Sequence, residues 1–94
     1  MVAKPSPRLR LVVILVYVHG VCVNLKGFVY VSGGGSHVVK IYDPRRNGAD
    51  ALLQTLGGAG DAPGQFNYPA GMCVDDTNTL MVVDYGNHRV QFFD

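Results

Sequence analysis

Short apolar runs alternate with turn-forming residues along most of this chain. The apolar runs lie at residues 20–24, 28–32, 37–43 and 51–58, and again at 71–75, 79–84 and 88–94. Runs of this length that are rich in Val and aromatic residues are typical of β-strands when turn formers bound them. Gly, Asp, Asn and Pro separate these runs. The pattern predicts an all-β chain with seven short strands.

The same pattern is built twice. Residues 20–43 align without a gap with residues 71–94 at an offset of 51. The identical pairs are Gly20/Gly71, Cys22/Cys73, Val23/Val74, Val31/Val82, Gly35/Gly86, His37/His88, Val39/Val90 and Asp43/Asp94. A fixed period of this size indicates a repeat architecture. Each copy predicts three antiparallel strands, and residues 51–58 add a fourth. Such a four-stranded unit, followed by a loop to an equivalent unit, is typical of a β-propeller blade.

Glycine-containing loops separate the second and third strands of each copy. We expect Gly33-Gly34-Gly35 and Gly86-Asn87 to let the chain reverse there, because Gly and Asn tolerate positive φ. A histidine, His37 or His88, then begins the third strand above an apolar stripe. We expect it to hydrogen-bond a loop carbonyl or an Asp. The alternative is that this histidine contacts a ligand.

Residues 63–94, with the sequence PGQFNYPAGMCVDDTNTLMVVDYGNHRVQFFD, resemble the NHL-repeat family. The PGQF segment, the Gly-x-x-Val-Asp strand and the GNHRV loop follow one another in the family's order and spacing. A weaker copy covers residues 20–56, where "GGGSHV" lacks the Asp and Arg of the second loop and no PGQF segment precedes the first strand. The resemblance implies a β-propeller, usually six-bladed. Such propellers occur in tripartite-motif ubiquitin ligases, in sensor domains of bacterial kinases and in a peptide-amidating lyase.

The repeat divides the chain into four parts. These are a basic and apolar N-terminal segment (1–19), a first blade (20–56), an inter-blade connection (57–70) and a second blade without its fourth strand (71–94). The apolar run at 11–18 is too short to span a membrane as a helix. It predicts a strand or, with the preceding basic residues, a signal-like segment. Two blades cannot close a ring of four to eight. We therefore expect a fragment of a larger protein, or a chain whose ring is completed by self-association or by the blades of a parent chain.

Charge and chemistry narrow the function. The net charge is +1, and residues 51–94 carry one base, Arg89, against five Asp, so a nucleic-acid partner is not expected. Cys22 and Cys73 lie in apolar contexts and predict free, buried thiols. His19 stands near a place where the lyase resemblance would put a metal ligand. Its counterpart Ala70 cannot ligate, so we expect no metal site and no cofactor. The stretch 75–78 predicts a turn rather than a calcium loop.

The loop between the second and third strands should emerge on the same side as the inter-blade connection. The candidate binding residues on this side are Tyr85, Asn87, His88, Arg89, Gln65 and Tyr68. We expect Tyr85 to be exposed and Phe66 to pack between blades. The sequence thus predicts a non-catalytic module that binds a protein or peptide. The alternative is a fragment of a propeller enzyme resembling the amidating lyase. A cytoplasmic location is favoured, and secretion would follow if residues 1–19 act as a signal.

Overall fold

The computed structural model describes residues 9, 12–15 and 17–94. Seven strands form two antiparallel sheets within these residues. The first sheet has the order β1-β2-β3-β4 and contains β1 (Val18–Val23), β2 (Val29–Gly33), β3 (Val38–Tyr42) and β4 (Leu52–Gly57). The second has the order β5-β6-β7 and contains β5 (Pro69–Val74), β6 (Leu80–Asp84) and β7 (Arg89–Phe93). Two short 3-10 turns, Gly48–Ala51 and Tyr85–Asn87, lie in the connections. The predicted architecture, antiparallel blades that do not close into a ring, is confirmed for the described residues.

The repeat extends to the hydrogen bonds of the turns. Each strand of the second sheet begins and ends 51 residues after its counterpart in the first. Asn24 Oδ1 accepts the backbone N–H groups of Lys26 and Phe28 at 3.1 and 2.9 Å. Asp75 Oδ1 accepts those of Thr77 and Thr79, both at 2.9 Å. The stretch 75–78 is therefore a turn that its first residue closes, and the matching residue closes the same turn in the first copy.

The core lies between the two sheets, where β1 and β2 pack against β5. We call the packed side of the first sheet its rear face, and it contributes Cys22, Tyr30, Val39 and Ile41. The packed side of the second sheet is its front face, which contributes Met72, Val74, Leu80, Val82 and Phe93. Phe66 is fully buried in the same cluster, as predicted. Because side chains alternate along a strand, Val21 and Val23 lie on the front face of the first sheet. By the same rule, Cys73, Val83, Val90 and Phe92 lie on the rear face of the second.

The prediction that loop glycines supply the positive φ is wrong. The residues with positive φ in these loops are the histidines, His37 at 56° and His88 at 55°. In each copy the histidine ends a tight turn, and its backbone N–H donates to the carbonyl of the residue three positions earlier. His37 donates to Gly34 at 3.4 Å, and His88 donates to Tyr85 at 3.2 Å. Histidine tolerates the left-handed region better than most non-glycine residues do. Gly86 serves a different purpose, because a Cβ there would lie 2.6 Å from the carbonyl oxygen of Asn67.

The first strand begins at Val18, at the very end of the apolar run 11–18. Residues 12–15 have no regular structure, so the strand predicted for the whole run does not form over these residues. The signal-like interpretation of residues 1–19 falls largely outside the described residues. No helix in the described part of the chain is long and apolar enough to cross a membrane. The four-part division of the chain remains a prediction.

Val39 and Val90 offer a matched test of the core, because they are equivalent in the repeat but only Val39 is buried. We expect Val39→Ala to lower the free energy of unfolding by about 2 kcal/mol, since it leaves a cavity between the sheets. Val90→Ala should change it by less than about 0.5 kcal/mol. Urea melts of dilute protein measure both values. Equal effects of the two substitutions would contradict the assignment of the core.

Candidate functional site

The segment that connects the two sheets, residues 58–68, folds back on itself. The N–H of Phe66 donates to the carbonyl of Gly58 at 2.8 Å, and the N–H of Gly60 donates to the carbonyl of Phe66 at 3.0 Å. A tight turn between them has the N–H of Gln65 bonded to the carbonyl of Ala62 at 2.9 Å. The connection is therefore a closed loop, and several of its carbonyls remain to be satisfied by another element.

Arg89 satisfies these carbonyls from β7. Its Nη1 donates to the carbonyl of Asp61 at 2.9 Å. Its Nη2 donates to the carbonyls of Ala62 and Gln65 at 2.9 and 3.0 Å. Its Nε donates to Asp84 Oδ2 at 2.8 Å. The planar guanidinium group thus joins three carbonyls of the connection to one carboxylate of the second sheet.

Asp84 is fully buried and accepts hydrogen bonds on both oxygens. Oδ1 accepts the backbone N–H of Asn67 at 2.8 Å. Oδ2 accepts the side-chain amides of Asn87 and Gln91 at 3.0 and 3.2 Å, besides Arg89. Burial alone would raise the pKa of Asp84. The bonds from Asn87, Asn67 and Arg89, with the charge of Arg89, outweigh burial and hold the pKa below its ordinary value.

Two side-chain amides complete this network. Gln91 Nε2 donates to the carbonyl of Gln65 at 2.7 Å, and its Oε1 accepts the N–H of Gly64 at 2.9 Å. Asn87 Nδ2 donates to the carbonyl of Gly60 at 2.8 Å. We call the side chains of Asp84, Asn87, Arg89 and Gln91 the anchor network. The candidate binding residues Asn87, Arg89 and Gln65 thus use polar groups in hydrogen bonds within this network.

The connection ends at Tyr68, which lies among other rings at the loop side of the sheets. Its backbone N–H donates to His37 Nδ1 at 3.0 Å. Its hydroxyl is hydrogen-bonded to His19 Nε2 at 2.8 Å. The His19 ring meets the Tyr68 ring edge-on at 4.7 Å between centroids. The rings of Tyr17 and Tyr85 each lie 6.5 Å from that of Tyr68. We call Tyr17, His19, Tyr68 and Tyr85 the tyrosine cluster.

The tyrosine cluster faces solvent. Tyr17 is 68% exposed and Tyr85 is 69% exposed, and the exposure predicted for Tyr85 is confirmed. An open cleft of about 370 Å³ lies beside Tyr68, lined by His37, Ala59, Gly60, Asp61, Phe66, Asn67 and Asn87. A large aromatic surface next to a cleft rich in backbone and amide groups is suited to binding a polypeptide.

The two repeated histidines differ in their surroundings. His37 accepts a backbone N–H, so the expected bond to a carbonyl or an Asp is wrong for this residue. The acceptor role requires a lone pair on Nδ1. His88 is exposed, and its ring has no hydrogen-bond partner among the described residues. The difference arises because the second sheet packs against the first at His37 and no sheet packs at His88.

Two members of the tyrosine cluster were not among the candidate binding residues. Tyr17 precedes the aligned repeat by three residues, yet it also stands 51 residues before Tyr68. Both residues have positive φ, 51° for Tyr17 and 61° for Tyr68. Extending the alignment upstream would have found this pair. His19 has no counterpart, since Ala70 is equivalent, and only the structure shows its bond to Tyr68.

Side chains that could bind a metal ion or a phosphate group are scarce among the described residues. No three His, Cys, Asp or Glu side chains group there as metal ligands. Arg45 and Arg46 both pair with Asp43, at 2.8 and 3.6 Å. Cys22 and Cys73 are free thiols. Cys22 is partly buried and Cys73 is exposed, so burial was predicted wrongly for the second.

Comparison with known proteins agrees with the predicted resemblance. The family model of the NHL repeat matches residues 66–93. E3 ubiquitin-protein ligase TRIM32 of Mus musculus is 38% identical over 42 residues, which are 45% of this chain and 6% of that protein. NHL repeat-containing protein 2 of Bos taurus is 29% identical over 75 residues, which are 73% of this chain and 10% of that protein. The chain thus spans a tenth or less of these relatives. The matches support a repeat module of the protein-interaction kind in general.

The anchor network predicts how the free energy of unfolding changes with pH. Because the pKa of Asp84 is lowered on folding, its ionised form stabilises the fold fully above about pH 4 and loses this effect as the pH falls further. Asp84→Asn should lower the free energy of unfolding by about 2 kcal/mol at neutral pH. The difference from the parent chain should shrink toward zero in acid. Urea melts across the acid range measure it, and a difference that does not change with pH would contradict this role.

Proposed function

We propose that this NHL-repeat chain serves as a non-catalytic protein-interaction module that binds a polypeptide through the tyrosine cluster and the cleft beside it. The observation that carries the proposal is the exposure of Tyr17 and Tyr85, whose rings each lie 6.5 Å from that of Tyr68. Tyrosine is enriched at protein interfaces because it offers a large contact area and a polar tip at low cost in conformational entropy.

The position of Tyr68 supports this proposal, because the residue is held on two sides. Its backbone is bonded to His37 of the first sheet and its hydroxyl to His19 of β1. The anchor network fixes the connection that leads into it. A contact residue that is ordered before binding loses little entropy on binding, so more of its contact energy appears as affinity.

The local charge favours a polypeptide over a nucleic acid. The tyrosine cluster and the residues lining the cleft include no Lys or Arg. Arg89 is bonded to Asp84 and to backbone carbonyls nearby. Nucleic-acid binding draws most of its affinity from basic side chains that neutralise phosphates. The aromatic and amide groups of this surface match the side chains and backbone of a peptide instead.

Peptide selection against the 94-residue chain tests the proposal. Peptides enriched from a random displayed library would be titrated against the parent chain and three variants. We expect Tyr68→Ala and Tyr85→Ala each to weaken binding about tenfold. The control, Leu25→Ala, removes an exposed apolar side chain in the β1–β2 turn at the other end of the sheet and should not change affinity.

Thermal melts distinguish a variant that has lost peptide binding from one that has lost its fold. Tyr85→Ala should keep the melting temperature of the parent chain, because the side chain is exposed. Enriched peptides that bind the tyrosine variants as tightly as the parent would overturn the proposal. So would a selection that enriches no peptide.

A further inference from the structure

The cleft beside Tyr68 contains an acidic side chain that no described residue neutralises. Asp61 lines this cleft, and no Lys or Arg lines it. It is exposed, and its carboxylate makes no hydrogen bond or ion pair with any described residue. Arg89 donates to the backbone carbonyl of Asp61 at 2.9 Å, but it forms its ion pair with Asp84, at 2.8 Å. The carboxylate of Asp61 is therefore available to a cation from another molecule.

The amide side chains that line the cleft also present acceptors. Asn87 Nδ2 donates to the carbonyl of Gly60 at 2.8 Å and to Asp84 Oδ2 at 3.0 Å. Because both partners are acceptor oxygens, the nitrogen is assigned to this side and Oδ1 of Asn87 keeps its lone pairs for a ligand. The side-chain amide of Asn67 lies against Gly86, where an added Cβ would clash with it. That amide has no hydrogen bond among the described residues, so its oxygen is free as well.

A guanidinium group complements this set of acceptors. It carries a positive charge and five N–H donors in a planar fork, and it has no acceptor of its own. A carboxylate next to amide oxygens satisfies several of those donors at once. The aromatic rings of Tyr68 and Tyr85 belong to residues within two positions of Asn67 and Asn87, and such rings attract a cation to their faces. An anionic group would instead meet the Asp61 carboxylate without a basic side chain in the lining.

We propose that the cleft binds an arginine side chain of the polypeptide that contacts the tyrosine cluster. The guanidinium group pairs with the carboxylate of Asp61, and the amide oxygens of Asn67 and Asn87 accept its remaining N–H groups. Tyr68 and Tyr85 contact the chain that carries the arginine. This inference rests on the proposed function, because it names the kind of peptide that the module selects. Lysine, a point charge without the planar fork, binds less tightly at the same place.

A small probe tests the cleft without a selected peptide. N-acetyl-arginine N-methylamide would be titrated into the ¹⁵N-labelled full chain, with NMR shifts recorded at the amides of Gly60 and Asn67. We expect saturable shifts that weaken as salt is added, since the contact is an ion pair at an exposed site. The matched probe is the citrulline analogue, which keeps the shape of arginine but is neutral. It should bind about tenfold more weakly, because hydrogen bonds to a charged group exceed those to a neutral one.

Two variants with the same change of charge locate the contact. Asp61→Asn should weaken binding of the arginine probe about tenfold. Asp76→Asn changes an exposed acid in the β5–β6 turn, at the other end of the sheet, and should leave it unchanged. Both variants should melt as the parent does, since both side chains are exposed. An arginine probe that does not shift the cleft amides, that binds no better than citrulline, or that binds Asp61→Asn as tightly as the parent would overturn the inference.

The peptides selected from the random library separate this inference from the proposed function. Enrichment of arginine at one position, with weaker binding of those peptides to Asp61→Asn, would support both. Peptides that depend on Tyr68 and Tyr85 but carry no excess of arginine, and bind Asp61→Asn as tightly as the parent, would overturn the inference and leave the proposed function standing. A library that enriches no peptide would overturn the proposed function, and this inference with it.

Discussion

The buried carboxylate of Asp84 is the interaction on which the rest of this structure depends. It accepts bonds from the backbone of Asn67 and from the side chains of Asn87, Arg89 and Gln91. Through these groups it joins the connection between the sheets to the second sheet. A buried charge with fewer partners would destabilise the fold. The same carboxylate thus fixes the segment that places Phe66 in the core and Tyr68 at the surface.

This network explains why the two halves of the repeat signature occur together. The connection offers carbonyls that need donors, and the loop and β7 supply Asn87, Arg89 and Gln91. The first copy has Gly33, Ser36, Val38 and Lys40 at the equivalent positions, and no PGQF segment precedes it. The first copy thus lacks both the PGQF sequence and the side chains that bind the connection in the second copy.

Much of the fold could be predicted from the sequence, because strand boundaries, turns and burial follow local periodicity and the repeat. Phe66 and Tyr85 were placed correctly for that reason. The roles of Asn87, Arg89 and Gln65 were not predicted, because polar loop residues were assumed to face a partner, while their true partners lie elsewhere in the chain. The positive φ of His37 and His88 depends on the turn type, which residue composition does not determine. His19 joins the tyrosine cluster only through a contact with the next sheet.

Amide hydrogen exchange measured by NMR tests the central claim most directly. Segments held only by exposed loops open with little free energy, whereas segments tied into the core exchange by global unfolding. The amides of Gly64 and Asn67 donate to Gln91 and Asp84, so they should exchange as slowly as the amide of Val82 in β6. Exchange of Gly64 and Asn67 near the rate of an unstructured chain, while Val82 stays protected, would contradict the account that the anchor network fastens the connection to the second sheet.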